Sequence, residues 1–377
     1  MVRKILKYVG IVIACLVVLV ALSALLYREY LQHKVAEQRA IRSPNGINSL
    51  EPVRIGGIDQ WMEVRGQNVS NPILLFIRGG PGIAFIPLAS TFQSPWEKYF
   101  TVVQWDQRGA GKTYASNDKE LQRKTMNVRQ MEQDALEVVN YLRNRFKREK
   151  IFIIGHSWGA ILGLWLAYEH PEVIYAYVGT GQAVNLEENA ALVYKGALQQ
   201  ARNRRNEQAV NELESIAPYP PPNPDLRKMM IANKWAGNLA PPPPSGPESR
   251  KFPSIVSVVV SAPEYSLVDD LGFFRGQMFS AQALIPQLAN LDLTKLGSNF
   301  RAPVFFFEGR YDPWCPPSLI WEYTQTIKGP QKGFVWFEHS GHFPFLEEQQ
   351  KFTDPARFAS RKYGELNQRG RGNRRVA

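Results

Sequence analysis

Ile151-Phe152-Ile153-Ile154-Gly155-His156-Ser157-Trp158-Gly159-Ala160-Ile161-Leu162-Gly163-Leu164-Trp165-Leu166-Ala167 passes from strand to helix across five residues. The first four residues are continuously apolar, as in a strand covered on both faces. The run from Ala160 onward reads as a helix. Between them lies Gly-x-Ser-x-Gly, which in strand–turn–helix context is a nucleophile elbow. Small glycines let the chain turn sharply and leave Ser157 exposed at the tip. The amide of the following residue, Trp158, can face a developing oxyanion.

Outward from this element the same alternation recurs. Val53-Arg54-Ile55 and Trp61-Met62-Glu63-Val64 flank Gly56-Gly57 and predict a hairpin. Further apolar runs lie at Ile73–Ile77, Phe100–Val103, Val173–Val178, Val304–Phe307 and Phe334–Phe337. Between two runs, Val128, Met131, Ala135, Val138, Val139, Leu142 and Phe146 repeat at helical spacing. Strand–helix–strand alternation predicts a doubly wound α/β architecture with a mostly parallel, eight-stranded sheet. Residues 183–299 interrupt the rhythm. They open with a helical segment from Asn185 to Glu214 and hold two proline clusters, Pro218–Pro224 and Pro241–Pro244. A pure loop of that length does not suit a compact domain, so a helical cap with stiff proline-rich connectors is expected.

A serine nucleophile needs a base, itself oriented by a carboxylate. Of the five histidines, His33 lies just past an apolar N-terminal run, His156 adjoins the nucleophile and points elsewhere, and His170 precedes a proline at a helix end. His339 and His342 follow the last strand. His342, in Ser340-Gly341-His342-Phe343-Pro344, is the candidate base, and His339 reads as structural. The acid belongs between Ser and His in chain order. Asp312, in the loop after the Val304–Phe307 strand, is the candidate, with Glu308 at the strand end as the alternative. Arg78-Gly79-Gly80-Pro81-Gly82 follows the third strand and would bring a second oxyanion donor close to a substrate carbonyl. Asp106-Gln107-Arg108-Gly109-Ala110-Gly111 follows the fourth strand and is expected to brace the same rim.

Residues 50 to 350 resemble the α/β-hydrolase superfamily and, within it, the proline iminopeptidase family. The resemblance rests on the Arg78–Gly82 loop, the Asp106–Gly109 segment, the Gly155–Gly159 elbow, the helical insertion, and the late Asp312 and His342, in that order. It implies Ser157, Asp312 and His342 as a catalytic triad, the amides of Gly80 and Trp158 as an oxyanion hole, and Arg78, Gly79, Pro81, Gly82 and Asp106 as loop support. Two departures stand out. The family has histidine where this chain has Arg78, which reads as a loop brace rather than a contact for an anionic substrate. The family also binds a substrate amine through acidic cap residues; the acids of this cap are Glu187, Glu188, Glu212 and Glu214, none of which aligns to that role. No metal or other cofactor is called for. Haloalkane dehalogenase and epoxide hydrolase chemistry is disfavoured, because those relatives use an aspartate nucleophile.

The ends of the chain add a location. Tyr8 to Tyr27 carries no charge over a length that matches a bilayer's hydrocarbon core, with Arg3, Lys4 and Lys7 before it. The run is long for a cleaved signal peptide, so an uncleaved single-pass anchor through residues 8–27 is expected. The basic head points to a cytoplasmic N-terminus and an extracytoplasmic body. The net charge of +11 is concentrated at the ends: residues 1–42 and 361–377 each carry +5. A nucleic-acid binder would hold its basic excess on the folded body, so that class is set aside. Only two cysteines are present, which excludes a disulfide scaffold. The expected organisation is an anchor and linker at 1–45, a hydrolase core at 46–182 and 300–360, the cap at 183–299, and a basic disordered tail at 361–377. The expected activity is cleavage of an amide or ester in a small peptide or ester through an acyl-enzyme, by an aminopeptidase or a carboxylesterase. The rival from another class is a catalytically silent binding protein on the same fold.

Overall fold

The computed structural model describes residues 2–246 and 254–354; the expected tail lies outside the described residues. The chain opens with helix α1 (Val2–Gln38) and then forms the expected hairpin, β1 (Ile47–Ile55) with β2 (Ile58–Gly66). The six remaining apolar runs become β3 (Ile73–Ile77), β4 (Thr101–Asp106), β5 (Ile151–His156), β6 (Ile174–Thr180), β7 (Val304–Gly309) and β8 (Lys332–Phe337). All eight strands lie in one sheet of order β1-β2-β4-β3-β5-β6-β7-β8. β2 is antiparallel to β1 and β4, and every pairing from β4 to β8 is parallel. β3, β4 and β5 are buried at every residue, which is why they read as continuous rather than alternating apolar runs.

Helices α2 (Gly111–Ser116), α3 (Lys119–Thr125) and α4 (Val128–Phe146) link β4 to β5, and α5 (Trp158–Glu169) follows β5. The helical repeat noted in the sequence is the buried stripe of α4, and Asn127 caps its start by accepting from the Gln130 amide. The chain leaves β3 towards β4 and then returns across the sheet to β5. The loops after β3 and β5 therefore meet at a topological switch point, where α/β sheets bind their ligands.

Between β6 and β7 lie α6 (Leu186–Asn203), α7 (Glu207–Glu214), α8 (Leu226–Leu239), α9 (Ile255–Ser261) and α10 (Leu267–Leu288). The helical segment from Asn185 to Glu214 is built of two helices. Arg205 takes a left-handed conformation, and the Asn206 side chain caps α7 instead of continuing α6. α6, α7 and α8 share their own apolar cluster, including Val193, Leu213 and Trp235. α10 instead gives Phe279, Leu284 and Leu288 to the main core. Helix α11 (Pro317–Thr326) lies between β7 and β8, and α12 (Pro344–Glu347) follows β8.

Among the described residues, α1 is the one helix long and apolar enough to cross a membrane, and its apolar stretch touches nothing in the body. Its last turns do. Arg28 donates to Asp270 Oδ2 (3.0 Å) and to the Tyr265 carbonyl (2.8 Å), and Gln32 donates to the Ala262 carbonyl (2.7 Å). Arg39 is buried between Glu63 and Glu264, and Arg65 donates to its carbonyl. Burial, with Glu264 close by, pushes the Glu63 carboxyl up to about 8 despite its guanidinium partners. Any cut that frees the body from the apolar run therefore belongs at Tyr27. Removing Arg39 as well would leave Glu63 and Glu264 without the guanidinium that links them, which is destabilising.

Candidate active site

Ser157 occupies the tip between β5 and α5 at φ 55°, ψ −121°, a sparsely populated conformation for a residue with a side chain. Backbone bonds hold it there. Its amide donates to the Thr180 carbonyl (3.0 Å), and its own carbonyl accepts from the Ala160 amide (2.9 Å). The glycines around it are dictated by close approach. A Cβ on Gly159 would collide with the Ile77 carbonyl, and one on Gly79 would stand 2.6 Å from Ser157 Cβ. The loop after β3 is thus pressed against the elbow, and Gly80 and Pro81 border the same cavity as Ser157 and Trp158. Trp158 opens α5, so its amide belongs to the first helical turn, whose N–H groups lack intrahelical acceptors.

His342 and Asp312 are paired. Nδ1 of His342 lies 2.6 Å from Asp312 Oδ2, with both side chains buried. The other carboxylate oxygen accepts from the amides of Trp314 (2.8 Å) and Cys315 (2.9 Å). The loop carrying His342 is clamped by the first turns that follow it. Glu347 accepts from the Gly341 amide (2.8 Å), and Glu348 accepts from the His339 amide (2.9 Å) and the Ser340 hydroxyl (2.7 Å). The end of β6 joins the two halves of the site: Thr180 holds the Ser157 amide, and the next residue, Gly181, lies directly under the His342 ring.

The alternatives to these residues go elsewhere. His339 turns its Nδ1 to the Pro244 carbonyl (3.1 Å). Glu308 is fully buried and accepts from the Gln182 amide (3.2 Å); burial, with Asp312 nearby, pushes its carboxyl well above the usual range. It supports the turn beneath His342 through that bond. Asp312, Cys315 and His342 also bring three potential metal-donor atoms within 4.8 Å of one another. Burial pushes the Cys315 thiol up, whereas a metal would need the thiolate, and Asp312 Oδ2 is already engaged by the imidazole. The trio suits proton handling better than metal binding.

Three consecutive side chains after β4 brace three different places. Asp106 takes the Tyr265 hydroxyl and the Lys112 amide, so it ties the approach to α10 to the sheet rather than touching the Gly79–Gly82 loop. Burial raises its carboxyl to about 7. Gln107 supplies the loop contact, donating to the Arg78 carbonyl (2.8 Å) and accepting from Trp158 Nε1 (3.1 Å). Arg108 runs back to Asp134 of α4 (2.9 Å).

Arg78 is buried, bonded through Nη1 to His156 Nδ1, and stacked 3.8 Å from the Phe85 ring centroid. Since Arg78 donates, His156 carries its proton on Nε2 and donates through it to the His342 carbonyl (2.8 Å). Burial and the neighbouring Arg78 push His156 well below its ordinary pKa, in keeping with this neutral tautomer. Arg78 does not border the cavity that Ser157 faces. Through His156 it reaches the backbone of His342. Arg78→His should therefore change kcat/KM by less than about tenfold, equally on matched neutral and anionic esters. A KM rise confined to the anionic member, worth about 1.5–3 kcal/mol for a charged hydrogen bond, would instead make it a substrate contact.

The cavity over Ser157 measures about 480 Å³. Its floor is Gly80, Ser157 and Trp158, one wall comes from Ile285 and Leu288 of α10, and Trp314 stands edge-on to His342. The segment Tyr219-Pro220-Pro221-Pro222 forms part of its lining, so the first proline cluster is a wall of the site and not merely a connector. Of the four acidic residues singled out between β6 and β7, only Glu187 lines the cavity, joined by Asp225, which the sequence reading missed. Glu212 is engaged by Lys234 and Trp235, and Glu214 by Arg202.

The family described as alpha/beta hydrolase fold matches residues 72–349. The chain is 27% identical over 314 residues to the probable aminopeptidase YbaC of Bacillus subtilis, covering 83% of this chain and 96% of that protein. Among solved structures, proline iminopeptidase of Mycobacterium smegmatis superposes with a TM-score of 0.58 at 15% identity, over 85% of this chain and 100% of that one. A membrane phospholipase A, described as a bacterial virulence factor, superposes with a TM-score of 0.53 at 18% identity, over 95% and 98%. The strand order, the elbow at the switch point and the extent of the family match agree: this chain belongs to the α/β-hydrolase family.

Proposed function

We propose that the protein is a membrane-anchored serine aminopeptidase that removes N-terminal residues from short peptides. The observation that carries the reading is the Asp312–His342 pair, 2.6 Å apart, beside the turn that holds Ser157. In this reading the substrate carbonyl lies between Gly80 and Trp158. Ser157 Oγ attacks it, and Nε2 of His342 takes the serine proton. Asp312 accepts from Nδ1 and keeps the imidazole in the tautomer whose Nε2 lone pair is free. The amides of Gly80 and Trp158 receive the oxyanion. His342 then returns the proton to the leaving amine, and water releases the acyl group by the same route. Residues 183–299 act as the cap, α1 holds the enzyme in the membrane with its head in the cytoplasm, and the body works on the far side.

The aminopeptidase choice is supported by Glu187 and Asp225, two acidic residues that line the same cavity as Ser157. A peptide's α-amine has a pKa of about 8 and is mostly cationic at neutral pH. The similarity to a probable aminopeptidase over most of both chains points the same way. Aminoacyl-arylamides with free and acetylated amines test it. The free amine should be favoured about tenfold or more in kcat/KM, the worth of one charged hydrogen bond. Faster cleavage of p-nitrophenyl acyl esters than of any free-amine arylamide would give the carboxylesterase reading. Failure of Ser157 to take a fluorophosphonate label would leave only the silent binding protein.

A further inference from the structure

The first three turns of α10 have their polarity inverted, and α9 before them is apolar on its exposed side as well as its buried one. The side of α10 turned to the core carries Asp269 and Asp270 as well as Phe273 and Phe279. The solvent side carries Leu267, Val268, Leu271, Phe274 and Met278, all between 43% and 65% exposed. Leu267, Leu271, Phe274 and Met278 fall at helical spacing on one stripe, interrupted at its edge only by Arg275 and Gln277. Ile255 and Val256 of α9 are 43% and 57% exposed and extend the apolar surface. A soluble monomer rarely leaves such a stripe uncovered.

The place of this face in the fold names its occupant. Arg28, the first charged residue after the apolar run of α1, pairs with Asp270, and Gln32, one turn later, bonds to the carbonyls of Ala262 and Tyr265. The joint between α9 and α10 is therefore fixed at the level where α1 leaves its apolar stretch. Leu267 and Leu271 lie within one helical turn of Asp270, so they stand within about 6 Å of that level along α10. Tyr27 and Tyr30, both exposed on α1, supply the aromatic residues that settle at a bilayer surface.

We propose that the exposed face of α9 and the start of α10 is a second membrane contact, lying in the interfacial layer of the bilayer that α1 crosses; this rests on the reading of α1 as a membrane span. The partner is a lipid surface. Apolar side chains enter the boundary between headgroups and acyl chains to a depth of about 5–10 Å, and Arg275 reaches the phosphates. A single spanning helix leaves a body free to swivel. A second contact, attached to the helix that also walls the cavity with Ile285 and Leu288, fixes how the site is presented to the surface.

The test uses the full-length chain in vesicles of phosphatidylcholine and phosphatidylglycerol, with Cys15→Ser and a polarity-sensitive fluorophore on Leu271→Cys; Cys315 is buried. Doxyl-labelled lipid should quench that fluorophore by about twofold or more, as for a residue at the acyl boundary. The same label on Leu121→Cys, exposed on α3, should be unaffected. Protein that stays with vesicles through alkaline washing but shows no quenching at position 271 overturns the second contact while leaving the anchor intact. Protein that does not stay with vesicles overturns the anchor reading and the proposal with it. A shielded label that lipid does not quench, with crosslinking between copies at position 271, shows that a second copy covers the face and also overturns it. Leu271→Ser with Phe274→Ser gives an independent check: thermal stability should hold, and the label, moved to Met278→Cys, should lose its quenching.

Discussion

Ser157→Ala is expected to lower kcat/KM by about 10^4-fold or more, with the melting temperature unchanged or raised. The size of the loss follows from the unit the residues form. Without Oγ, His342 has no proton to take and no acyl-enzyme forms, so only binding and oxyanion stabilisation remain. The direction of the stability change follows from the backbone. Ser157 is held at φ 55°, and the strain of about 1–3 kcal/mol stays with alanine, so no contact of the fold is lost. Its amide still donates to the Thr180 carbonyl. Turnover and thermal melting on the same preparation check both halves. Activity within tenfold of the parent, at full purity, would remove Ser157 from the chemistry. A collapse of melting together with activity would make it a structural residue only.

The elements that position this serine were legible because their signals are local. A continuous apolar run, a glycine turn and an apolar helix lie within seventeen residues, Ile151–Ala167, and the six parallel strands announce themselves in the same way. The pairing of Asp312 with His342 was also within reach, since chain order and the two flanking strands leave few choices. What was not legible depends on partners far apart in sequence and without period. Arg78 meets His156, Asp106 meets Tyr265, and Arg39 meets Glu63 and Glu264. None of these pairs leaves a repeat or a spacing that marks it. The proline cluster at 218–224 misled for a related reason. Proline fixes the local conformation of a segment, but whether that segment spans open solvent or walls a cavity is decided by α6 and α8 on either side. The break between α6 and α7 had a visible cue in Asn206, a strong helix-capping residue, within a segment otherwise rich in helix formers.

Asp312→Asn should be nearly as damaging as loss of the serine, with kcat reduced about 10^4-fold and KM changed only a few-fold. The hydrogen bonds dictate which way the new amide turns. The amides of Trp314 and Cys315 both donate to Oδ1 and will keep an oxygen there. The NH2 group of asparagine then faces Nδ1 of His342, where the carboxylate oxygen stood at 2.6 Å. Two N–H groups cannot share that space, so the imidazole moves its proton to Nε2. That nitrogen becomes a donor and can no longer take the proton of Ser157. Because the two amide bonds survive, the melting temperature should move by only a few degrees, the shift expected for about 1 kcal/mol or less in a chain of this size. Glu308→Gln supplies the contrast. Glu308 is the other carboxyl beside Asp312; burial disfavours its charged form, and a glutamine oxygen can still accept from the Gln182 amide, so its amide isostere should keep kcat within a few-fold. If Glu308→Gln proved the crippling change and Asp312→Asn stayed within tenfold of the parent, the acid of the site would be Glu308, and Asp312 would be only the cap of the turn that carries Trp314 and Cys315.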